Sequence, residues 1–309
     1  MATLRQLEYF VAIVDEGSFT RAAAALNVTQ PGLSHQFQAL EKELGGRLVE
    51  RLTRGVRLTA AGRALLPSAR AALTEVRRGT TAARRTTALA SGELQLATLY
   101  SVSYGVLPKV LAAWRSRHPQ MRITLFEHEH MDDLVEAMNA GKADVAIGPE
   151  PPGRRGTVRS LGSEDFLLLT SADDPLAARS SGTSVPLADL TDRDWVHFTP
   201  SSGLADILDQ ACAAHAFRPR VALRTQQAAF AANFAEAGLG LALIPGNNIP
   251  RDFTGRLYRP DPPIRRTLTV YAHGTPDTVT AAFLDLVAEE CELTPPHVQA
   301  RLSQPPPDA

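Results

Sequence analysis

The spacing of apolar residues changes near residue 90, and this change constrains the fold most. Before it, with a short exception at 47–58, apolar residues recur every three or four positions, which is typical of amphipathic helices. After Ser91 and Gly92, apolar runs of strand length alternate with helical stretches, which favours parallel sheets covered by helices on both faces. The 309-residue chain is therefore predicted to have a helical N-terminal part and an α/β C-terminal part.

These two parts carry opposite charge. Residues 1–90 contain about 13 Lys and Arg against about 7 Asp and Glu, whereas the remainder contains about 19 against about 26. The overall net charge of −1 thus combines a basic part near +6 with an acidic part near −7. A basic part of this kind suggests a polyanionic partner such as DNA. Uneven surface charge without a function is the alternative.

Three short helices are predicted in the first 45 residues. The first ends at Gly17, a residue free to adopt positive φ, and Ser18 is placed to cap the second. After a tight break, Thr29 is placed to cap the third helix. Pro31 is tolerated there because first-turn amides have no intrahelical acceptor.

The third helix has one apolar and one polar face. Its apolar stripe contains Leu33, Phe37, Leu40 and Leu44. Pro31, His35, Gln38 and Lys42 lie opposite this stripe, with Ser34 on the flank, so the outward face carries hydrogen-bonding side chains and few carboxylates. Such groups suit base edges and phosphates, so the pattern favours a helix-turn-helix whose last helix enters the major groove. A small helical bundle with a solvated polar face is the alternative.

Two short alternating runs around a glycine turn follow at 47–58 and predict a β-wing. Arg51, Arg54 and Arg57 on this wing could contact phosphates or the neighbouring minor groove. Surface solubilisation is the alternative for any one of these arginines.

Five segments, spread over about sixty residues of the N-terminal part, resemble the DNA-binding domain of LysR-type transcriptional regulators. They are residues 4–10 (LRQLEYF), 17–23 (GSFTRAA), 29–34 (TQPGLS), 40–41 (LE) and 58–62 (LTAAG). Val49 departs from the Phe that is usual in the family, and His35 stands where Arg or Gln is also common. The departure at His35 affects which operator sequence the domain would recognise.

The resemblance implies that Gln30, Pro31, Ser34, His35 and Gln38 meet bases or adjacent phosphates, and that Arg51 and Arg54 meet the DNA backbone. The complete set of candidate DNA-binding residues is Ser18, Thr20, Thr29, Gln30, Pro31, Ser34, His35, Gln38, Arg51 and Arg54. Residues 1–58 are therefore predicted to form an all-α winged helix-turn-helix domain that binds double-stranded DNA.

Residues 59–90 are predicted to form one long linker helix. A helix of about 28 residues is about 42 Å long, too long to bury its apolar stripe against one small domain. A helix pair between two chains is the expected solution, and an intrachain connector is the alternative. The resemblance implies homodimers through this helix that often pair into homotetramers.

The remainder is predicted to form a two-lobed effector-binding domain at 91–293, with lobe I at 91–162 and 268–293 and lobe II at 163–267. Residues 141–148 (GKADVAIG) and 236–245 (EAGLGLALIP) resemble the periplasmic-binding-protein-like domain of the same family. The Pro-rich tail at 294–309 is predicted to be disordered.

Ligands of such lobes bind at the carboxyl ends of strands and the N-termini of following helices. Side chains at those positions predict a site for an anionic metabolite. They are Tyr100, Ser101, Val102, Ser103, His128, Phe198, Thr199, Ser201 and Gln226. Each of these residues could instead be an ordinary turn or cap residue.

The sequence gives little support for a metal site, a redox role or an enzymatic activity. His128 and His130 lack further ligands at recognisable spacing, so neither a metal nor a cofactor is predicted. Cys212 and Cys291 are too few for a disulfide scaffold and show no redox motif. Neither a nucleophile elbow nor a phosphate loop is present in the sequence, so no enzyme is predicted.

The chain is therefore predicted to be a regulator in which an effector between the lobes changes the spacing of paired DNA-binding domains. The resemblance implies an activator or dual regulator that contacts RNA polymerase. With neither a leader nor a membrane span in the sequence, we expect it in the cytoplasm. A solute-binding protein or an enzyme with a two-lobed α/β domain is the alternative.

Overall fold

The computed structural model describes residues 2–52, 55–87, 92–151, 156–176 and 183–303, and within the long linker helix it leaves out the side chains of residue 78 and residues 81–87. The chain divides near residue 90 into two compact units. Among the described residues, no helix is long and apolar enough to cross a membrane.

The N-terminal unit contains four helices and a two-stranded wing. Their bounds are α1 Leu4–Glu16, α2 Phe19–Ala25, α3 Gln30–Glu43, β1 Val49–Arg51, β2 Val56–Leu58 and α4 Ala60–Thr87. The wing strands pair antiparallel. As predicted, Ser18 and Thr29 cap α2 and α3 through their hydroxyls, and Gly17 ends α1 at φ 60°. These local signals fix where each helix begins and ends.

The core of this unit lies between α1, α2 and α3. Leu33, Phe37 and Leu40 are fully buried there, whereas the predicted fourth member of the stripe, Leu44, is 47% exposed. Leu44 is the C-cap residue of α3, and its amide still donates to the backbone oxygen of Leu40 at 3.0 Å. Gly62 in α4 is required because a Cβ at this position would lie 2.1 Å from the backbone oxygen of Leu48 beside the wing.

The C-terminal unit is an α/β structure with two lobes. Its first half contains β3 Glu93–Leu99, α5 Tyr100–Gly105, α6 Leu107–Arg117, β4 Arg122–His128, α7 Met131–Asn139, β5 Val145–Pro149 and β6 Thr157–Thr170. Its second half contains β7 Ser184–Pro186, β8 Asp194–Phe198, α8 Gly203–Ala214, β9 Arg220–Thr225, α9 Ala228–Glu236, β10 Leu241–Pro245, β11 Arg256–Asp261, β12 Arg265–Ala272, α10 Thr278–Glu290 and α11 Pro296–Ser303.

The strands run in the order β4-β3-β5-β12-β6-β10-β8-β9, with β11 also paired to β6 and β7 to β11. β3, β4 and β5 are parallel in one lobe, as are β8, β9 and β10 in the other. β6 and β12 are antiparallel to their neighbours, so the sheets are mixed and not purely parallel as expected. The two-lobed α/β fold itself is confirmed.

The chain crosses between the lobes along β6 and β12. β6 pairs with β12 up to Asp165, opposite Arg265, and with β10 from Phe166 onwards. The first crossing, at 165/166, therefore lies three residues after the predicted boundary at 162/163. The second, at 264/265, lies three residues before the predicted boundary at 267/268. Each lobe buries its own apolar core, lobe II around Trp195 and Phe198 and lobe I around Trp114 and Phe283.

The prediction that residues 294–309 are disordered is wrong for 294–303, and 304–309 lie outside the described residues. Within this stretch Val298 and Leu302, four residues apart, are buried in the lobe II core by α11. His297 hydrogen-bonds the backbone oxygen of Ile249 at 3.1 Å, and Arg301 donates to the backbone oxygen of Phe253 at 2.7 Å. The prolines stand at the helix start, where they cost no hydrogen bond.

Replacing Leu302 by alanine is expected to lower the free energy of unfolding of the C-terminal unit by about 2 kcal/mol or more, because it leaves a cavity in the lobe II core. Urea denaturation followed by tryptophan fluorescence measures this. Gln299→Ala on the exposed side of the same helix is the matched control, with an expected change within about 0.5 kcal/mol. Equal effects of both variants would contradict the docking of α11.

Candidate functional site

The polar face of α3 forms an exposed surface on the N-terminal unit. Of the predicted DNA-binding residues, Thr20, Thr29, Pro31, His35, Gln38 and Arg51 are exposed, and Ser18, Gln30 and Ser34 are half-buried. Arg54 lies outside the described residues. The hydroxyls of Ser18 and Thr29 accept hydrogen bonds from the first turns of α2 and α3, so these two residues also position the helices.

The wing reaches this surface through Arg51. Its Nη2 lies 3.2 Å from Ser34 Oγ, which also accepts a hydrogen bond of 3.0 Å from Gln30 Nε2. The guanidinium stacks 4.1 Å from the centroid of Phe19. This arrangement holds a cation beside the start of α3 before any DNA is bound. Phe19 was not anticipated, although it lies between the two predicted residues Ser18 and Thr20.

Arg57, the third wing arginine, is oriented differently. Its guanidinium forms an ion pair of 2.6 Å with Glu50 on the opposite strand of the wing. Part of its charge is therefore neutralised within the wing, and it is a weaker candidate for phosphate binding than Arg51.

In the C-terminal unit, the carboxyl ends of β3, β8 and β9 meet at a cavity between the lobes. Its wall contains Leu99, Tyr100, Ser101, Glu129, Ser202, Gly203, Leu204, Gln226, Ala228 and Arg266. The cavity holds about 20 Å³, which is room for about one water molecule. The lobes are thus closed on each other at this point.

Five of the nine predicted effector residues lie in the cavity wall or beside it. Tyr100, Ser101 and Gln226 line the cavity. Ser201 donates a hydrogen bond to the Glu129 carboxylate and lies 3.3 Å from Thr199, so both hydroxyls are beside the cavity.

The remaining predictions need correction. Val102 and Phe198 are fully buried in the lobe cores, because their side chains point away from the cavity edge into the apolar layer under the sheet. Ser103 and His128 are half-buried and do not form part of the cavity wall.

Arg266 is the most informative residue that sequence reasoning missed. It is the second residue of the return strand β12, and its guanidinium pairs with the buried Glu164 directly opposite on β6. Arg266 Nη2 also lies 3.2 Å from Ser101 Oγ. Glu164 in turn accepts a hydrogen bond of 2.9 Å from Asn247. Neither the strand pairing nor this network leaves a local signal in the sequence.

A second set of contacts joins the lobes at the N-terminus of α8. The backbone amide of Gly203 donates to the backbone oxygen of Glu129 at 3.2 Å. His130 Nε2 lies 3.2 Å from the carboxylate of Asp206 in the first turn of α8. His130 thus bridges the lobes, and no group of three metal-ligating side chains occurs in the described part of the chain.

Two family profiles match this chain. The profile described as "Bacterial regulatory helix-turn-helix protein, lysR family" covers residues 4–63, and "LysR substrate binding domain" covers residues 87–292. This chain belongs to the LysR family of transcriptional regulators. The predictions of a DNA-binding regulator, of a winged helix-turn-helix with an α/β effector domain, and of a protein that is not an enzyme are confirmed.

Individual LysR-type regulators resemble it along most of their length. The chain is 33% identical to the regulator IlvR of Caulobacter vibrioides over 295 residues, covering 93% of this chain and 98% of IlvR. It is 31% identical to ClcR of Pseudomonas putida over 244 residues, covering 78% and 82%. The crystal structure of the LysR-family regulator CbnR matches with a TM-score of 0.60 at 26% identity, covering 94% and 99%.

A full-length OxyR structure from Pseudomonas aeruginosa shares the fold with a TM-score of 0.64 at 21% identity, covering 96% of this chain and all of OxyR.

Both cysteines of this regulator, Cys212 and Cys291, are free thiols. Burial raises the pKa of the Cys212 thiol to about 12, with a contribution from nearby Asp209. Burial also raises the pKa of Cys291 to about 11. Both thiols are therefore protonated at neutral pH and are poor nucleophiles.

We expect the native regulator to react very slowly with a disulfide reagent such as DTNB at pH 8, because this pH lies well below both thiol pKa values. Two thiols per chain should react rapidly once the protein is unfolded in guanidinium chloride. Release of one equivalent of chromophore from the native protein within seconds would contradict the protonated state of these cysteines.

Proposed function

We propose that this LysR-type regulator reads pseudo-palindromic promoter sites through the exposed face of α3 and responds to an effector with an anionic group in the cavity between its lobes. The DNA contacts are assigned to Ser18, Thr20, Thr29, Gln30, Pro31, Ser34, His35, Gln38 and Arg51. The observation that carries this assignment is the cluster of Arg51, Ser34 and Gln30 beside the start of α3.

These residues divide by role. His35 and Gln38 are exposed, and among the described residues no side chain hydrogen-bonds to either of them. Both are therefore free to contact base edges and are assigned to them. Arg51 is held by Ser34 and Phe19 and is assigned to a phosphate. The first group therefore sets sequence preference, and the second sets affinity and register.

The effector is assigned to the hydroxyls and amide around the cavity, those of Ser101, Thr199, Ser201 and Gln226. Support comes from their convergence at strand ends, where helix N-termini favour negative charge. Because the closed cavity holds about 20 Å³, an effector enters only when the lobes separate. Effector binding thereby shifts the population of lobe arrangements.

Oligomerisation is assigned to α4. This helix has 28 residues, and Leu65, Leu66 and Ala69 near its start pack on the core of the N-terminal unit, whereas Val76 further along is 45% exposed. A long helix that exposes an apolar side chain beyond the part packed on its own unit suits a helix pair between two chains. The proposal also includes a homodimer that pairs into a homotetramer, contact with RNA polymerase, action as an activator or dual regulator, and a cytoplasmic location.

The effector assignment is tested by calorimetry. A thermal-shift screen of small carboxylic acids and amino acids selects the most stabilising compound, which is then titrated into the full-length protein. We expect Ser101→Ala combined with Thr199→Val to abolish measurable binding. Ser116→Ala, on an exposed turn of α6, is the control and should bind as the parent does. Unchanged affinity of the double variant would refute the site.

A further inference from the structure

Two side chains of opposite charge form part of the wall of the effector cavity. Arg266 belongs to the strand that crosses between the lobes, and Glu129 follows β4 of lobe I and meets the N-terminus of α8 in lobe II. Neither residue was among the sequence-predicted effector residues. The two side chains have different ion-pair and hydrogen-bond partners, and this difference indicates which charged groups the ligand carries.

Arg266 is a fixed hydrogen-bond donor. Its Nε donates to Glu164 at 2.5 Å, and Nη2 reaches both Glu164 and Ser101 Oγ. Its side chain is only 11% exposed. Within the part of the chain that the structure describes, the hydrogen bonds of Arg266 use Nε and Nη2, so the N–H groups of Nη1 can serve a ligand. A planar guanidinium held in one orientation is suited to a carboxylate.

The N-terminus of α9 supports the same assignment. Gln227, at its cap position, makes no side-chain capping hydrogen bond, and Ala228 at the first helical position lines the cavity. The first amides of this nine-residue helix can therefore donate to the carboxylate that Arg266 holds.

Glu129 is a charged acceptor without a basic partner. Its carboxylate accepts a hydrogen bond from Ser201, and no Lys, Arg or His of the described residues forms an ion pair with it. By contrast, the charge of Arg266 is already balanced by Glu164. The cavity wall thus carries one negative charge in excess, which disfavours a ligand with two anionic groups.

The rest of the wall suggests the size and polarity of the ligand. Leu99, Leu204 and Ala228 are apolar, so this part of the wall suits a hydrocarbon side chain better than a polar one. We propose that the effector is an α-amino acid with an apolar side chain. Its carboxylate binds Arg266, Ser101 and the start of α9, and its ammonium group binds Glu129. This inference rests on the effector cavity of the proposed function.

The test uses the full-length protein freed of bound small molecules. A thermal-shift screen with the twenty L-amino acids selects the most stabilising one for calorimetry. Two analogues of the same compound are then titrated, the 2-hydroxy acid, which lacks the ammonium group, and the amino-acid amide, which lacks the carboxylate. We expect each analogue to bind at least about tenfold more weakly, because a charged wall group loses its partner.

Variants of Glu129 assign the ammonium contact. Glu129→Gln should weaken binding of the amino acid at least about tenfold while the affinity for the 2-hydroxy acid stays within about twofold. Glu129→Asp keeps the charge and should restore a preference for the amino acid. Glu127→Gln, at an exposed position two residues earlier, is the matched control and should leave both affinities unchanged.

Three results would overturn the inference: no stabilisation by any amino acid, equal binding of the 2-hydroxy acid, or an amino-acid preference that survives in Glu129→Gln. The first two results would overturn the amino-acid assignment without overturning the proposed function. If a 2-hydroxy acid or a dicarboxylate binds and Ser101→Ala with Thr199→Val abolishes that binding, the effector cavity stands and only the amino-acid assignment falls.

Discussion

Replacing Glu164 by alanine should lower the free energy of unfolding of the C-terminal unit by about 3–5 kcal/mol. The Glu164 side chain is 1% exposed and the Arg266 side chain 11% exposed. Removing the carboxylate leaves a buried guanidinium without a counter-charge and Asn247 without its acceptor. Both tryptophans, Trp114 and Trp195, are in this unit, so their fluorescence during urea denaturation reports its unfolding.

The same pair of strands supplies a matched control. Asp165 and Arg265, the neighbouring ion pair between β6 and β12, have side chains that are 33% and 61% exposed. Asp165→Ala should therefore cost less than about 1 kcal/mol. The double variant Glu164→Leu with Arg266→Leu should recover much of the stability lost in Glu164→Ala, because no unpaired charge remains. Equal costs for Glu164→Ala and Asp165→Ala would contradict the buried pair.

Replacing both His35 and Gln38 by alanine should weaken operator binding by about 2–6 kcal/mol while leaving binding to unrelated DNA nearly unchanged. The reason is that both side chains lie on the exposed face of α3, where they are assigned to base edges. Fluorescence anisotropy with operator and scrambled duplexes measures the two affinities separately. A uniform loss on both duplexes would contradict this assignment.

Arg51 should behave differently in the same assay. Arg51→Ala is expected to weaken binding to all sequences and to reduce the slope of log K against log salt by about 1, as for one lost phosphate contact. Arg51→Lys should restore only part of the affinity, because an ammonium cannot both stack on Phe19 and bond Ser34 as the guanidinium does. Arg57→Ala is the control, with a smaller effect because Arg57 is paired with Glu50.

The sequence predicts the N-terminal unit well because its determinants are local. The caps at Ser18 and Thr29, the turn at Gly17 and the stripe of Leu33, Phe37 and Leu40 all act within a few residues of each other. The predicted stripe extends one residue too far, because Leu44, the C-cap of α3, is exposed. Arg51 was predicted as a wing cation, but its contacts with Ser34 and Phe19 depend on the folded unit.

The effector cavity was predicted less completely because its wall is assembled over long sequence distances. Strand ends identified Ser101 and Gln226, but the same reasoning included Val102 and Phe198, whose side chains lie in the cores. Arg266 reaches the cavity through pairing with a strand about a hundred residues earlier. Helix α11 was missed because a Pro-rich composition obscured two apolar residues at helical spacing.

The most direct test of the account is binding of the full-length protein to DNA from upstream of its own gene, measured by gel shift at several salt concentrations. We predict a sequence-selective shift whose affinity falls by about 100-fold or more between 50 and 200 mM salt, as expected when several phosphates are neutralised. Failure to shift this DNA, or a shift that is equal on scrambled DNA and insensitive to salt, would contradict the assigned DNA-reading surface.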